Sequence, residues 1–217
     1  KVVRFVTADD SQVLKTVFSF EQLEADCFMN EWIKIPFNLK KMKKCYQKWY
    51  DAMNGKGWHT LYLENHDHPR IVDRYGSLKY RVESAKMLAT MCYLQRGTIF
   101  IYQGQEIGMT NTEFKSPYDF KDVESINYFK EQTAKGMTQQ QAYENLLAGS
   151  RDNCRTPMCW SAEENAGFTT GTPWIECMPG YEKINVEAQD KDEESVLNFY
   201  RKMIALRHEI PTLVYGD

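Results

Sequence analysis

The stretch Trp58-His59-Thr60-Leu61-Tyr62-Leu63-Glu64-Asn65-His66-Asp67-His68-Pro69-Arg70 is an apolar, strand-forming run that ends abruptly in polar and ionisable side chains. Thr60 to Leu63 supply the strand character, and Pro69, which lacks a backbone donor, keeps the ladder from continuing beyond the polar cluster. The residues able to do chemistry therefore sit at the C-terminal end of a strand. In parallel α/β architectures that end is where ligands bind, because the loops leaving it converge over the sheet or barrel mouth.

On the N-terminal side, Leu39, Met42, Cys45 or Tyr46, Trp49 and Met53 recur at three- and four-residue steps, with lysines on the opposite face. This predicts a helix capped by Asn38 and ended by Asn54-Gly55 and Gly57. Earlier still, Leu14 to Phe20 reads as a strand closed by Glu21, followed by a loop through Asp26, Phe28, Trp32 and Pro36; Lys1 to Asp10 has no clear period. On the C-terminal side, Asp73 to Leu78 reads as a loop and Lys79 to Gln95 as a helix broken by Gly97. Thr98 to Tyr102 then reads as a strand buried on both faces, with Gln103-Gly104-Gln105-Glu106 at its end.

Both strand-helix-strand spans suit a crossover unit of about 30 residues, so the order is β-α-β-α-β in one parallel sheet, and the repeated polar strand ends favour a barrel. Met109 to Asn153 is a long excursion, with short helices expected at Asp122 to Glu131 and Thr138 to Leu147. Arg151 to Trp174 reads as an ordered loop rich in Gly, Thr, Asn and Pro, and Glu193 to Glu209 as a last amphipathic helix.

The composition is that of an ordinary globular chain: 217 residues, 42% hydrophobic, 26% charged, with a formal net charge of -3. No basic-aromatic strip recurs, which disfavours a nucleic-acid partner. No run approaches the roughly 20 apolar residues of a membrane span, and Lys1-Val2-Val3-Arg4 does not open a signal peptide, so the chain reads as cytoplasmic with no membrane partner. Six cysteines without a CxxC pair read as reduced thiols.

Three readings of His66-Asp67-His68 compete. The two histidines, two residues apart, could be metal ligands completed by carboxylates from other strands. Asp67 could merely cap a turn before Pro69. Or a carboxylate at a barrel mouth, beside a histidine, could stabilise positive charge on a reacting sugar together with a partner acid. In Ser150-Arg151-Asp152-Asn153-Cys154-Arg155, the two arginines either form a surface ion-pair ladder with Asp152 or recognise carboxylates and fixed polar substrate groups through their rigid forks. Phe18, Phe20, Tyr102, Phe114 and Trp160 offer faces for sugar stacking, although most read as core.

Four segments in order resemble the α-amylase superfamily of glycoside hydrolases, in its oligo-1,6-glucosidase and α-glucosidase branch. They are Leu61 to Arg70, Gly97 to Asn111, Arg151 to Trp160 and Asn165 to Trp174. The resemblance implies an α/β fold of the (β/α)₈ TIM-barrel type. Of that barrel the chain would hold only about the last three β/α units, with a long loop excursion after the final strand. It implies retaining hydrolysis of α-glucosidic bonds in an oligosaccharide substrate, with no metal and no cofactor. By matching position, Asp67 would stabilise the transition state and distort the sugar, His66 would hydrogen-bond the non-reducing glucose, and Arg155 would close the pocket around it. Arg151 and Glu124 would face the leaving-group side, with Phe20 near it.

The chain departs from that pattern in what it lacks. The family's nucleophilic aspartate and acid/base glutamate lie on earlier strands, and nothing before Leu14 matches them. The reading is therefore that residues 1–217 form the C-terminal portion of a catalytic barrel, with an exposed barrel edge available for self-association. Smaller departures are His68 for a common Gln, Gln105 for an acid, and Cys154 and Cys159 for Ala and Gln, Cys159 being the one expected to alter pocket polarity. The alternatives are a trehalose-6-phosphate hydrolase, which would need a phosphate-binding basic pocket, and a non-catalytic member such as an amino-acid transporter heavy-chain ectodomain.

Overall fold

A computed structural model describes residues 6, 14–28 and 30–216. In chain order it contains strands β1 (Cys27–Phe28) and β2 (Asn30–Lys34), helix α1 (Leu39–Met53), strand β3 (Thr60–Leu61), helices α2 (Ile71–Tyr75) and α3 (Arg81–Tyr93), and strand β4 (Thr98–Ile99). Helices α4 (Val123–Ala134), α5 (Gln139–Gly149), α6 (Val186–Asp190), α7 (Val196–Glu209) and α8 (Thr212–Tyr215) complete it. The unassigned opening segment lies, apart from Val6, outside the described residues.

β3 and β4 pair in parallel, with Thr60 opposite Thr98 and Leu61 opposite Ile99, and Val17 bridges His59 in parallel on the other side of β3. Three chain segments thus run side by side in one direction, as the order β-α-β-α-β requires. The expected strand over 14–20 is reduced to that single bridge. Its register is held instead by side chains: Thr16 Oγ1 donates to the Trp58 carbonyl at 3.0 Å, Thr60 Oγ1 to Val17 at 2.8 Å and Tyr62 Oη to Ser19 at 2.6 Å. Nor is the 98–102 run buried on both faces. Thr98 and Phe100 are exposed, because among the described residues no strand pairs with the free edge of β4.

The helices lie outside the sheet. Leu61 and Leu63 pack with Ile71, Leu88, Tyr93 and Tyr200 in a core shared by α2, α3 and α7. α1 joins it through Met42, and Asn38 caps α1 by accepting from Lys41 N at 2.9 Å, as its local pattern predicts. On α7 Leu206 is exposed and Arg207 is buried, donating to the carbonyls of Gln95 and Gly97 at 2.7 Å each. These carbonyls follow α3, so the guanidinium satisfies groups that helix and strand leave unpaired.

Two expected loops are ordered elements. The segment read as a loop through Asp26 and Pro36 contains the antiparallel pair of β1 and β2, and the 73–78 loop contains the end of α2. The hairpin supports the excursion. Trp32 joins Phe120, Phe129, Ala142 and Leu146 in a second core and stacks on Tyr128 at 4.4 Å. Gly149 permits that closeness, since a β-carbon there would stand 3.0 Å from both the Glu31 carbonyl and the Trp32 ring.

His59 lies flat against Trp49 at 5.0 Å with Nε2 3.0 Å from Ser19 Oγ, and burial pushes its pKa down to about 4. Between that value and about 6.5 the unfolded chain binds the proton that the folded chain refuses, so stability falls as pH falls through this window. In urea titrations of the full-length protein from pH 7 to 4, His59→Phe is expected to flatten this decline. The difference in slope should reach at most about 1.4 kcal/mol per pH unit.

Candidate active site

The polar end of β3 is shaped by Asn65 and Glu64. Asn65 Oδ1 accepts from Asp67 N at 2.9 Å and lies 2.8 Å from His68 Nδ1, forming a side-chain-closed turn that fixes Asp67. Glu64 is buried beneath it. One of its oxygens takes Ile71 N at 2.9 Å, at the start of α2, and the other takes Arg70 Nη1 at 3.0 Å. Arg70 also donates to the Gln103 carbonyl at 2.7 Å, tying the ends of β3 and β4 together.

The second half of the site comes from the two ends of the excursion. Ser150 Oγ accepts from Asp152 N and Asp152 Oδ2 accepts from Lys121 N and Asp122 N at 2.7 and 3.0 Å, so the chain re-enters beside the point where α4 begins. Asp152 is fully buried. It is not part of a surface ladder with Arg151 and Arg155: it lies in the interior, its Oδ2 taken by the two backbone donors, while the arginines pair with other carboxylates.

Both arginines turn to Asp67. Arg151 Nη1 and Arg155 Nη2 each lie 3.3 Å from Asp67 Oδ1, and Arg151 Nε and Arg155 Nη1 lie 2.9 and 3.2 Å from Asp122 Oδ1. Arg151 Nη2 reaches Glu124 at 3.0 Å, and Arg155 Nε donates to the His66 carbonyl at 2.9 Å. Two guanidiniums are thus held in a frame of three carboxylates, and the His66 ring stands 3.3 Å from the other Asp67 oxygen. Of the residues expected in the site, Asp67, His66, Arg151, Arg155 and Glu124 come together. Phe20 lies to one side, 6.3 Å from the His68 ring.

Asp122 is the residue that the sequence reading placed only at a helix start. Its Oδ2 caps α4 through Ser125 N at 3.1 Å while its Oδ1 takes the arginines. Burial alone would raise its pKa. The Ser125 N–H and the Arg151 and Arg155 guanidiniums outweigh burial and hold it below the usual carboxylate range. Its signal was an acid one residue ahead of an amphipathic helix, which marks a cap and says nothing of partners about 30 residues away.

A cavity of about 330 Å³ opens over Asp67, with Phe18, Phe20, Tyr62, His66 and Tyr102 among its walls. Phe18 meets Tyr62 and Phe100 edge-on at 5.1 and 4.8 Å. Of the other aromatics considered, Phe114 is core, stacked on Phe120 at 4.0 Å. Cys159 lies wholly buried among Ile107, Met109 and Met158, away from the cavity, so its effect is on packing and not on pocket polarity. The paired-ligand reading of the histidines has no geometric support: His68 Nδ1 is engaged by Asn65, and among the described residues no three His, Cys, Asp or Glu side chains converge on a point. All six cysteines are free. A carboxylate clamped at the mouth of an aromatic-walled cavity is suited to stabilise positive charge and to accept sugar hydroxyls.

The family described as "Alpha amylase, catalytic domain" matches residues 1–216. The oligo-1,6-glucosidase of Parageobacillus thermoglucosidasius is 48% identical over 206 residues, covering 94% of this chain and 37% of that protein. The crystal structure of Bacillus licheniformis trehalose-6-phosphate hydrolase superposes with a TM-score of 0.94 at 44% identity, covering 99% of this chain and 39% of that one. An isomaltulose synthase mutant from Erwinia rhapontici, solved with its natural substrate sucrose, gives 0.94 at 39% identity over 100% of this chain and 39% of that one. The chain therefore spans less than two-fifths of the length of these relatives. With the parallel strand ends, the clamped Asp67 and a match over nearly every residue, the chain belongs to the alpha-amylase catalytic-domain family and has its TIM-barrel type of fold.

Proposed function

We propose that residues 1–217 are the C-terminal portion of the catalytic barrel of a retaining α-glucosidase acting on short isomalto- or malto-oligosaccharides in the cytoplasm. In this reading Asp67 stabilises the oxocarbenium-like transition state, and His66 and Arg155 hold the terminal glucose. Arg151, Glu124 and Phe20 lie toward the leaving group. The observation that carries it is the Asp67 carboxylate, gripped by two guanidiniums at 3.3 Å each and exposed to the cavity at the strand end. The nucleophile and the acid/base belong to strands outside these residues. The relatives' names support α-glucosidic hydrolysis in general and leave the linkage to the test.

In the full-length protein, isomaltose and an aryl α-glucoside are expected to turn over with the α-anomer released first, followed by proton NMR. The isolated 217-residue chain is expected to show no turnover. First release of the β-anomer, or turnover by the isolated chain at the full-length rate, overturns the reading. The exposed Phe18, Phe20 and Phe100 at the polar ends of the strands, together with the unpaired edge of β4, also favour self-association of the isolated chain. Against a non-catalytic member stands the intact placement of His66, Asp67 and Arg155.

A further inference from the structure

We propose that Glu31 sets the charge preference of the site: paired with Glu124 on the wall of the groove beside Asp67, it favours an uncharged leaving sugar and rejects a phosphorylated one. The inference rests on the α-glucosidase reading of the pocket and names the leaving groups it accepts.

The groove, of about 200 Å³, runs between the β1–β2 hairpin and the start of α4, with Glu31, Trp32, Asp67, His68, Glu124 and Arg151 on its walls. Three of these side chains are carboxylates and one is a guanidinium. A phosphoryl dianion needs cationic donors with capacity to spare. Arg151 already spends Nε on Asp122, Nη1 on Asp67 and Nη2 on Glu124, and Arg155 is divided between Asp122, Asp67 and the His66 carbonyl. Lys34, on the same hairpin as Glu31, lies 3.6 Å from Asp26, and Lys41 in the adjoining cavity donates to the Glu24 carbonyl at 2.6 Å. His68 supplies no positive charge near neutrality, since burial and then the Arg74 and Lys34 cations push its pKa down to about 4.

The two glutamates already feel each other. Desolvation first, and then the charge of the neighbouring Glu124 carboxylate and a hydrogen bond shared with it, raise the pKa of Glu31 above its ordinary value. A dianion placed against this pair would add to that repulsion, whereas the hydroxyls of a neutral sugar would donate to the same oxygens. The backbone that carries Glu31 is fixed beside the groove. Its neighbour Trp32 is stacked on Tyr128, and Gly149 lies against its backbone.

The test compares trehalose with trehalose 6-phosphate in the full-length protein, alongside calorimetric binding of glucose and glucose 6-phosphate. The wild type is expected to prefer the neutral disaccharide by about 100-fold or more in kcat/KM. Glu31→Lys should shift this ratio toward the phosphate by about 10-fold or more, and Glu31→Gln should shift it in the same direction by less. A wild-type preference for the phosphorylated sugar, or a ratio unchanged in both variants, overturns the inference. If no α-glucoside is hydrolysed but glucose still binds better than glucose 6-phosphate and Glu31→Lys erases the difference, the hydrolase reading fails and charge selection stands. Equal binding of the two sugars with hydrolysis intact does the reverse.

Discussion

Asp67→Asn in the full-length protein is expected to lower kcat/KM on isomaltose by at least about 10²- to 10³-fold, mostly in kcat, with little change in thermal stability. Asparagine keeps the shape and one acceptor oxygen, so the 3.3 Å contacts from Arg151 and Arg155 can persist as ordinary hydrogen bonds. What is lost is the negative charge. In its place two guanidiniums would face the cavity with only Asp122 and Glu124 to balance them, at the point where the proposed reaction makes the glucosyl ring positive. The site would change from one that attracts developing positive charge to one that repels it. Ground-state binding depends more on hydroxyl contacts and on the aromatic walls, so KM should move less than kcat. Kinetics on isomaltose and on an aryl α-glucoside check this, with a melting curve to establish that the variant is folded. A loss of less than about 10-fold would remove Asp67 from the chemistry proposed for it.

The longer helices of this chain were legible because their signals are local, whereas the short α2, α6 and α8 were not. Asn38, Asp122 and Thr138 are short polar caps directly ahead of periodic apolar runs, and each accepts from a backbone N–H three residues on. The strands were legible in kind but not in extent. Thr60 to Leu63 does end in the site, yet ladder pairing is confined to Thr60–Leu61, because a parallel strand is as long as its neighbours allow. The β1–β2 hairpin escaped because Asn30-Glu31-Trp32-Ile33-Lys34 places only Trp32 inward and has no Asn-Gly turn to announce it. With the hairpin went Glu31, whose position over the groove follows from the packing of Trp32.

The site itself divides in the same way. Asp67 and the two arginines could be picked out by residue type at a strand end and in an ordered loop. Their convergence could not, because it depends on Ser150 and Asp152 drawing the end of the excursion back to Lys121 and Asp122. Asp122 is both a helix cap and the second anchor for both guanidiniums. The excursion's fold and the orientation of the arginine clamp on Asp67 are therefore one set of bonds.

Arg70→Met is expected to cost about 3–5 kcal/mol of stability, more than any other single replacement discussed, although Arg70 does not itself line the cavity. Arg70 is fully buried, and its guanidinium holds Glu64 at 3.0 Å and the Gln103 carbonyl at 2.7 Å while lying 5.5 Å over the Tyr102 ring. Methionine fills similar volume, so the cost comes from leaving the Glu64 carboxylate buried with only Ile71 N–H for a partner. That diagnosis has a signature in pH. Burial already raises the Glu64 pKa against the opposing pull of Arg70 and Ile71, and removing Arg70 lets burial win by more. The folded variant then binds a proton that the unfolded chain, titrating near 4.5, releases, so its stability rises as pH falls toward that value. Urea unfolding of the full-length protein should therefore find the deficit large at pH 7 and smaller at pH 5. Adding Glu64→Gln to Arg70→Met should restore much of the loss at pH 7 and abolish its pH dependence. A deficit that stays the same at both pH values, and that the second substitution does not relieve, would mean that packing and not charge is what Arg70 contributes.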